Sequence, residues 1–400
     1  MIGPAEGGIT APRGFVAAGV AAGIKRAGLD LALVASDTPA SAAGLFTTNQ
    51  ATAAPVLVSR EHLETTGGRA RAVVVNSGCA NACTGPAGMQ VARLMCAETA
   101  RALGCEADDV LVASTGVIGV QLDARTVSAG IIEAAQRLDT GGHADAARAI
   151  MTTDPFPKAH AVSLRLPGGT VIIGGMAKGS GMIEPRLATM LGFLTTDAAI
   201  APAMLRTALV EACDDTFNAI TVDGECSTND SVFLLANGAS GVAIDAATLP
   251  AFVGALRAVC LELALGIVRG GEGAKKLITV TVTGAATGED ARRTARAIAN
   301  SPLVKTAIHG GDPNWGRLVA VAGRAGGRFE LDGARVLIGD VLLFDQGRPF
   351  DDRAPAAAEY LQGDDVAVTV DLGTGGRHEA RVFTCDLSAD YVRINAEYRT

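Results

Sequence analysis

The chain has 400 residues, 48% of them hydrophobic and 4% aromatic, and its 34 Lys and Arg against 42 Asp and Glu give a formal net charge of −8. This length exceeds what one hydrophobic core usually serves, so two or three domains are expected. The acidic balance, with no run of Lys or Arg longer than a pair, disfavours nucleic acid and anionic lipid as partners.

The N-terminal sequence, MIGPAEGGIT, has no basic region followed by a long apolar one, and the apolar stretch 15–24 is too short to span a bilayer. The eight cysteines form no CxxC pair and the five histidines stand apart from one another. Free thiols and the absence of a structural metal are therefore expected. Together these features predict a cytoplasmic protein with no membrane partner.

Runs of branched residues predict strands, in chain order, at 31–36, 71–77, 110–114, 170–175, 231–237, 277–284, 335–343 and 366–373. A helix is predicted from Thr84-Gly85, with Pro86 in its first turn, to a stop at Gly104. Four further helices are predicted. One begins near Asp123, one begins after Pro202, and the other two cover 249–268 and 289–300. Most strands carry apolar residues at consecutive positions, which is typical of sheets covered on both faces and favours a layered α/β fold.

The sequence changes character after about residue 281, where glycine-punctuated strands dominate and 289–300 is the one obvious helix. A catalytic α/β domain is therefore predicted at 1–280, followed by a smaller C-terminal domain at 281–400.

Common cofactor and hydrolase motifs are missing from the sequence. No GxGxxG follows a strand, and GGEGAKK (270–276) lacks the spacing of a phosphate-binding loop. No histidine accompanies a GxSxG elbow, so a Ser-His-Asp hydrolase has no support. A Ser or Thr nucleophile in this chain would need another base, because its hydroxyl is protonated at neutral pH.

The stretch KGSGMIEPRLATML (178–191) offers such a base if the chain is cut before Thr189. The α-amino group of Thr189 would then have a pKa near ~7.7 to 8.0, which suits proton transfer at neutral pH. Ala188 is small and leaves the hydroxyl room to reach the preceding carbonyl. From these residues alone, a threonine that caps or closes a turn remains the commoner interpretation.

The segment KGSGMIEPRLATMLGFLTTDA (178–198) resembles the self-cleavage segment of the ornithine acetyltransferase family, the bifunctional glutamate N-acetyltransferases/amino-acid acetyltransferases of arginine biosynthesis. The resemblance covers nearly the whole chain. It includes GGITAPRGFVAAGVAAGIK (7–25), GLFTTNQATAAPV (44–56), NSGCANACTG (76–85), ASTGVIG (113–119), IMTTDPFPK (150–158), VDGECSTNDSV (222–232), HGGDPNWGR (309–317) and YVRINAEYRT (391–400).

The resemblance implies a role for each matching position. Thr189 would be the nucleophile, released by cleavage after Ala188 into an α chain (1–188) and a β chain (189–400), and Thr115 with Gly116 would form the oxyanion hole. The implied substrate-binding residues are Thr153, Lys178, Thr189, Glu272, Asn395 and Thr400.

The implied fold is a layered helix-sheet-sheet-helix core of the ornithine acetyltransferase type with a smaller C-terminal α/β domain. The implied reaction moves the acetyl group of N2-acetylornithine to glutamate through an acetyl-threonine. No cofactor is needed, and acetyl-CoA enters as a co-substrate only if the enzyme also makes N-acetylglutamate. The implied assembly is a heterotetramer of two α and two β chains.

Other interpretations of these residues stay open. Lys178 could form a plain surface ion pair, Glu272 could be a loop acid, and Asn395 and Thr400 could merely tie down the terminus. Two other functions remain as alternatives, a self-cleaving aminopeptidase or amidase and a metabolite-binding relative that never cuts itself. Neither feedback inhibition nor the choice between primary and specialised metabolism can be inferred from the sequence.

Overall fold

The structure is a computed structural model, and it describes residues 1–184 and 190–397. The predicted cleavage residues Ala188 and Thr189, and the predicted substrate-binding Thr400, lie outside the described residues.

The chain divides into two compact units. The first comprises Met1–Asn218 with Glu225–Ile267, and the second comprises Ala219–Gly224 with the chain from Val268 onward. The division falls at 267/268 rather than near 281, where the composition changes. The strand predicted at 277–284 therefore belongs wholly to the second unit, where it pairs with the strands Asp365–Asp371 and His378–Cys385.

The first unit contains a nine-stranded sheet with the order β1-β6-β7-β8-β9-β3-β4-β5, in which β2 also pairs with β3. Its strands are β1 (Ile2–Pro4), β2 (Phe15–Val20), β3 (Leu31–Phe46), β4 (Arg69–Cys79), β5 (Val110–Val117), β6 (Lys158–Leu166), β7 (Gly169–Lys178), β8 (Leu191–Thr196) and β9 (Ser231–Ala236). Its helices are α1 (Ala54–Thr65), α2 (Gly85–Leu103), α3 (Ala124–Gln136), α4 (His143–Ala149), α5 (Pro202–Asp214) and α6 (Leu249–Arg269).

The long strand β3 joins the two halves of this sheet. Residues 31–35 pair with β2 and β4, and residues 41–46 pair with β9, with a register shift between Ala35 and Ala40. A bulge of this kind bends and twists a strand, so β3 can belong to two differently facing halves.

Two cores give the first unit its layers. One core lies between helices α1 to α3 and one face of strands β2 to β5, with Met95 and Ile131 buried there. The second lies between the other face of those strands and β8 and β9, where Phe193 and Phe233 are buried with ring centroids 6.0 Å apart. Helix α6 covers β7, since a Cβ at Gly175 would come within 3.0 Å of Leu263 Cδ1. The predicted layered α/β fold is confirmed.

Local sequence explains the helix ends. The Asp123 side chain accepts a hydrogen bond from Thr126 N at the start of α3, as an N-cap should. Helix α2 has Pro86 in its first turn and ends at Gly104, which adopts φ +66°.

Helix α6 is the one described helix long and apolar enough to cross a membrane, with a mean hydropathy of 2.0. Its residues Phe252, Leu256, Val259, Leu263 and Ile267 recur at helical spacing and are buried inside the protein. This burial is typical of a core helix, which passes the same test of length and composition.

The second unit contains a six-stranded sheet with the order β13-β12-β11-β14-β10-β15. Its strands are β10 (Leu277–Ala285), β11 (Arg335–Ile338), β12 (Val341–Asp345), β13 (Arg348–Pro349), β14 (Asp365–Asp371) and β15 (His378–Cys385). Its helices are α7 (Gly288–Ala299), α8 (Pro302–His309), α9 (Trp315–Arg324), α10 (Ala354–Tyr360) and α11 (Ala389–Glu397).

Two sequence predictions for the second unit are wrong. The single strand predicted at 335–343 is a hairpin of β11 and β12, turned at Gly339 with φ +57°. Four helices, α8 to α11, accompany the one that was expected.

Candidate active site

The predicted oxyanion residues Thr115 and Gly116 lie near the end of β5, beside Gly78 and Cys79 of β4. Gly116 has φ +126°, and a Cβ there would lie 2.3 Å from the carbonyl carbon of Gly78. No side chain fits at that distance, so only glycine allows β4 and β5 to approach this closely.

Lys178, the last residue of β7, lies beside Thr115. It is 8% exposed, and its Nζ donates a hydrogen bond to Thr115 Oγ1 at 3.2 Å. The structure thus brings together two residues that are 63 positions apart in sequence, and it places a cation next to the hydroxyl of the predicted oxyanion hole. The interpretation of Lys178 as a surface ion pair does not fit this burial.

Asp154 binds the backbone that follows Lys178. Its Oδ1 accepts hydrogen bonds from Lys158 Nζ at 2.6 Å and Gly179 N at 2.7 Å, and its Oδ2 accepts one from Thr152 N at 3.0 Å. Burial alone would raise the pKa of Asp154, but the charges of Lys178 and Lys158 and these hydrogen bonds bring it down to about 2. Asp154 is therefore ionised and fixes the backbone next to Lys178.

The pKa of Lys158 is lowered, because burial lowers it more than the pairing with Asp154 raises it. We regard the pair as ionised, since both side chains are almost fully buried at 2.6 Å and Asp154 has additional N–H donors.

Thr153 and Thr152 have different roles in this loop. The Thr153 hydroxyl lies 2.5 Å from the Ser180 hydroxyl, whereas Thr152 contributes its backbone N–H to Asp154. The side chain of Thr153 thus faces the Gly-Ser turn that follows Lys178. The assignment of Thr153 to substrate binding stays a prediction.

A buried polar network supports the Thr115 segment from behind. Asn229 Nδ2 donates to the carbonyls of Ala80 at 2.5 Å and Ser114 at 2.9 Å. Ser114 Oγ donates to Asn76 Oδ1 at 2.6 Å, and Asn76 Nδ2 donates to the Cys79 carbonyl at 2.9 Å. These bonds hold the ends of β4 and β5 in register. The motifs NSGCANACTG and VDGECSTNDSV supply them, although sequence reasoning gave these side chains no role.

Asp230 is a second buried acid that sequence reasoning missed. Its Oδ2 has no hydrogen-bond partner among the described residues. Burial raises the pKa of Asp230 well above its usual range, and bonds from Ser227 and the charge of Lys178 only partly offset this. A buried carboxyl oxygen that lacks a partner is costly, and such groups are common at functional sites.

The chain after the predicted nucleophile lies inside the sheet. Leu191, the first residue of β8, pairs with Lys178 on one side and Ser231 on the other. Ser231 N donates to the carbonyl of Met190 at 3.1 Å. Met190 follows Thr189 in sequence, so the described chain next to the predicted nucleophile is fixed beside Lys178 and Asp230.

The second unit brings Glu272 and Asn395 together. Asn395 Nδ2 donates to Glu272 Oε2 at 2.8 Å, and Glu272 is 7% exposed. Asp386 Oδ1 accepts from the backbone N–H groups of Lys275 and Lys276 at 2.8 and 2.9 Å, which fixes the loop after Glu272. The described bond to Asn395 orients this acid, so the contact is more specific than that of an ordinary loop carboxylate.

All eight cysteines lie among the described residues and are free thiols. In the described ranges 1–184 and 190–397, no group of three or more His, Cys, Asp and Glu is placed to hold a metal ion. The expectation that no metal or cofactor is needed stays a prediction.

Two curated proteins that share one name are similar to this chain over nearly its whole length. A curated protein from Symbiobacterium thermophilum, named arginine biosynthesis bifunctional protein ArgJ, is 52% identical over 400 residues, covering 98% of this chain and 99% of its own. A protein of the same name from Chlorobaculum tepidum is 47% identical over 398 residues, covering 99% and 98%.

Two solved structures are also similar. ArgJ from Bacillus halodurans is 38% identical with a TM-score of 0.45, covering 47% of this chain and 98% of that one. Ornithine acetyltransferase from Mycobacterium tuberculosis, complexed with ornithine, is 47% identical with a TM-score of 0.42, covering 45% and 96%. The profile described as the ArgJ family matches residues 16–400. The chain belongs to the ArgJ family.

Proposed function

We propose that the chain is a glutamate N-acetyltransferase of arginine biosynthesis, which moves the acetyl group of N2-acetylornithine to glutamate after cutting itself between Ala188 and Thr189. The contact between Lys178 and Thr115 beside Gly116 carries this proposal, because it joins a cation to the hydroxyl of the oxyanion segment, and Lys178 pairs with Leu191, the first residue of β8. Relatives 47–52% identical over nearly the whole chain support the same pathway by their printed name.

Each half of the reaction uses the same nucleophile. The Thr189 hydroxyl attacks the acetyl carbonyl and gives its proton to its own α-amine, and the C–N bond then breaks as that proton passes to departing ornithine. Glutamate next attacks the acetyl-threonine ester and restores the hydroxyl. The Thr115 hydroxyl and the backbone N–H near Gly116 stabilise the oxyanion, and one such donor contributes roughly 3 to 4 kcal/mol.

The two substrates end in opposite charges, and the chain offers both signs. Lys178 suits a carboxylate and Glu272 suits the ammonium of ornithine. Each is buried within its own unit and is oriented by a hydrogen bond to a neighbouring side chain. Thr153, Asn395 and Thr400 complete the proposed binding set.

The proposed mature form is cytoplasmic and consists of chains 1–188 and 189–400, two of each in a heterotetramer. If the chain has a second activity, as the word bifunctional in the relatives' name suggests for them, we propose acetyl-CoA as its acetyl donor.

The test is the mass of the purified chain and of Thr189→Ala. The unaltered chain should give two species that match 1–188 and 189–400, and it should release ornithine from N2-acetylornithine only when glutamate is present. Thr189→Ala should stay intact and lose transfer, whereas Thr189→Ser should still cut itself, more slowly. An intact chain that transfers acetyl groups would refute the proposal. Release of ornithine without glutamate would favour the aminopeptidase or amidase alternative.

A further inference from the structure

Lys25 is a half-buried lysine beside the candidate active site to which neither the family resemblance nor the comparisons assign a role. It lies in the loop between β2 and β3, at the end of the motif GGITAPRGFVAAGVAAGIK. Its side chain crosses Gly78, where a Cβ would lie 2.6 Å from Lys25 Cγ. Gly78 pairs with Gly116, so the lysine crosses the strand that is next to the oxyanion segment.

Both ends of Lys25 are held in place. Its Nζ donates to the carbonyl of Met151 at 3.0 Å, two residues before Thr153. Its backbone N–H donates to Asp30 Oδ2 at 2.8 Å, and Asp30 also accepts from Ala22 N at 2.6 Å and Gly23 N at 3.1 Å. The loop therefore presents the ammonium group in a fixed position, and this lowers the entropy cost of binding an anion.

The two acids near Lys25 already have other partners. Asp30 accepts three backbone hydrogen bonds, and Asp154 forms its ion pair with Lys158. Within the described part of the chain, Lys25 forms no ion pair. Burial lowers the pKa of Lys25, the charges of Asp30 and Asp154 raise it, and the charge of Lys178 lowers it again. Two cations thus act on each other beside Thr115, an arrangement that a bound carboxylate would stabilise.

We propose that Lys25 binds the α-carboxylate of the amino-acid substrates, next to Lys178. This inference rests on the proposed acetyl transfer. In both N2-acetylornithine and glutamate, the α-carboxylate lies two bonds from the reacting nitrogen. A substrate whose acetyl carbonyl lies at Thr115 and Gly116 therefore has its carboxylate close to Gly78, the residue that Lys25 crosses.

The test compares Lys25→Met with the unaltered enzyme on substrates with and without this group. With N2-acetylornithine and with glutamate, KM should rise roughly ten- to hundredfold, as expected for a lost charged hydrogen bond, while kcat changes less than threefold. N-acetylputrescine is N2-acetylornithine without its carboxylate. With this donor, kcat/KM of the variant should stay within about twofold of the unaltered enzyme.

Two control variants separate binding from structure. Arg26→Gln removes an exposed cation one residue along and should leave both KM values unchanged. Lys25→Arg keeps the charge and should recover most of the affinity for both substrates.

Three results would overturn the inference. None of them would contradict self-cleavage or the role of Thr189. They are unchanged KM values in Lys25→Met, an equal loss with N-acetylputrescine, and an effect on glutamate alone, which would place the lysine at the side-chain carboxylate instead. If Lys25→Met fails to fold, Lys25→Gln is measured against the same outcomes. A failure of the proposed function would appear instead as an uncut chain that is still active.

Discussion

Replacing Asp154 with Asn should destabilise the first unit strongly and in a pH-dependent way. The native pKa of Asp154 is about 2, against an ordinary value of 3.8. This lowering of the pKa corresponds to about 2 to 3 kcal/mol of stability from this one carboxylate. Asn also leaves Lys158 buried without a counter-ion, so the total cost should reach about 3 to 5 kcal/mol.

The sign of the pH dependence follows from the lowered pKa. The contribution of Asp154 is fully present above pH 3.8, where the unfolded carboxyl is also ionised, and it is lost as the pH falls towards 2. The unaltered protein should therefore lose about 2 kcal/mol between pH 5 and pH 2 from this group, and the remainder below pH 2. Asp154→Asn should lack this part of the slope.

The assay is urea unfolding on the Thr189→Ala background, which we expect to remain one chain. Lys158→Met and the double variant complete a mutant cycle. Because the double variant leaves no buried charge of this pair, it should recover at least 1 kcal/mol relative to the sum of the single effects. A cost below 1 kcal/mol for Asp154→Asn, or additive effects in the cycle, would refute the reasoning about the buried ion pair.

Two further predictions concern the reaction itself. Gly116→Ala places a Cβ 2.3 Å from the backbone of Gly78 and should lower kcat by at least about a hundredfold. The control Gly119→Ala, at a positive φ but in open space, should not lower kcat in this way. Equal kcat values for the two variants in steady-state assays would show that the close approach of β4 and β5 is not required. We further propose that Lys178 lowers the pKa of the Thr189 α-amine by like-charge proximity, so Lys178→Met should raise that pKa and move the acidic limb of the pH–rate profile upward. An unshifted limb would exclude this role of Lys178.

The sequence was a good guide to elements whose ends carry local signals. The strands predicted at 71–77, 110–114 and 170–175 lie inside β4, β5 and β7, and the one predicted at 231–237 exceeds β9 by one residue. Helix α2 starts and stops where its proline and glycine signals predict, and α3 starts after Asp123 as predicted. The recognition of the family, and of an arginine-biosynthesis enzyme of that family, is confirmed by full-length relatives.

Long-range pairing could not be predicted in this way. The predicted strand 31–36 continues to Phe46 through a bulge, because its second half finds a partner in β9, almost 200 residues away in sequence. Helices α8 and α9 are short, and their caps Ser301 and Asn314, which accept from Val304 N and Arg317 N, were available signals that went unused.

The candidate site shows the same limit. A motif match indicates which residues matter, but not what surrounds them. Asp154, Asp230 and Lys25 depend on burial and on the charge of Lys178, which is distant from each of them in sequence, and neither property can be inferred from local sequence. Thr115 and Lys178 were identified by resemblance, and the structure adds their mutual contact.

The position of β8 and β9 has a consequence for the two chains after cleavage. Both strands belong to the proposed β chain, yet β8 pairs with β7 and β9 pairs with β3, which belong to the proposed α chain. The two polypeptides are therefore interleaved in one continuous sheet, and separating them would break two hydrogen-bonded ladders at once. Neither product has a complete fold of its own, so the intact precursor must fold first, and cutting one peptide bond afterwards leaves the sheet intact.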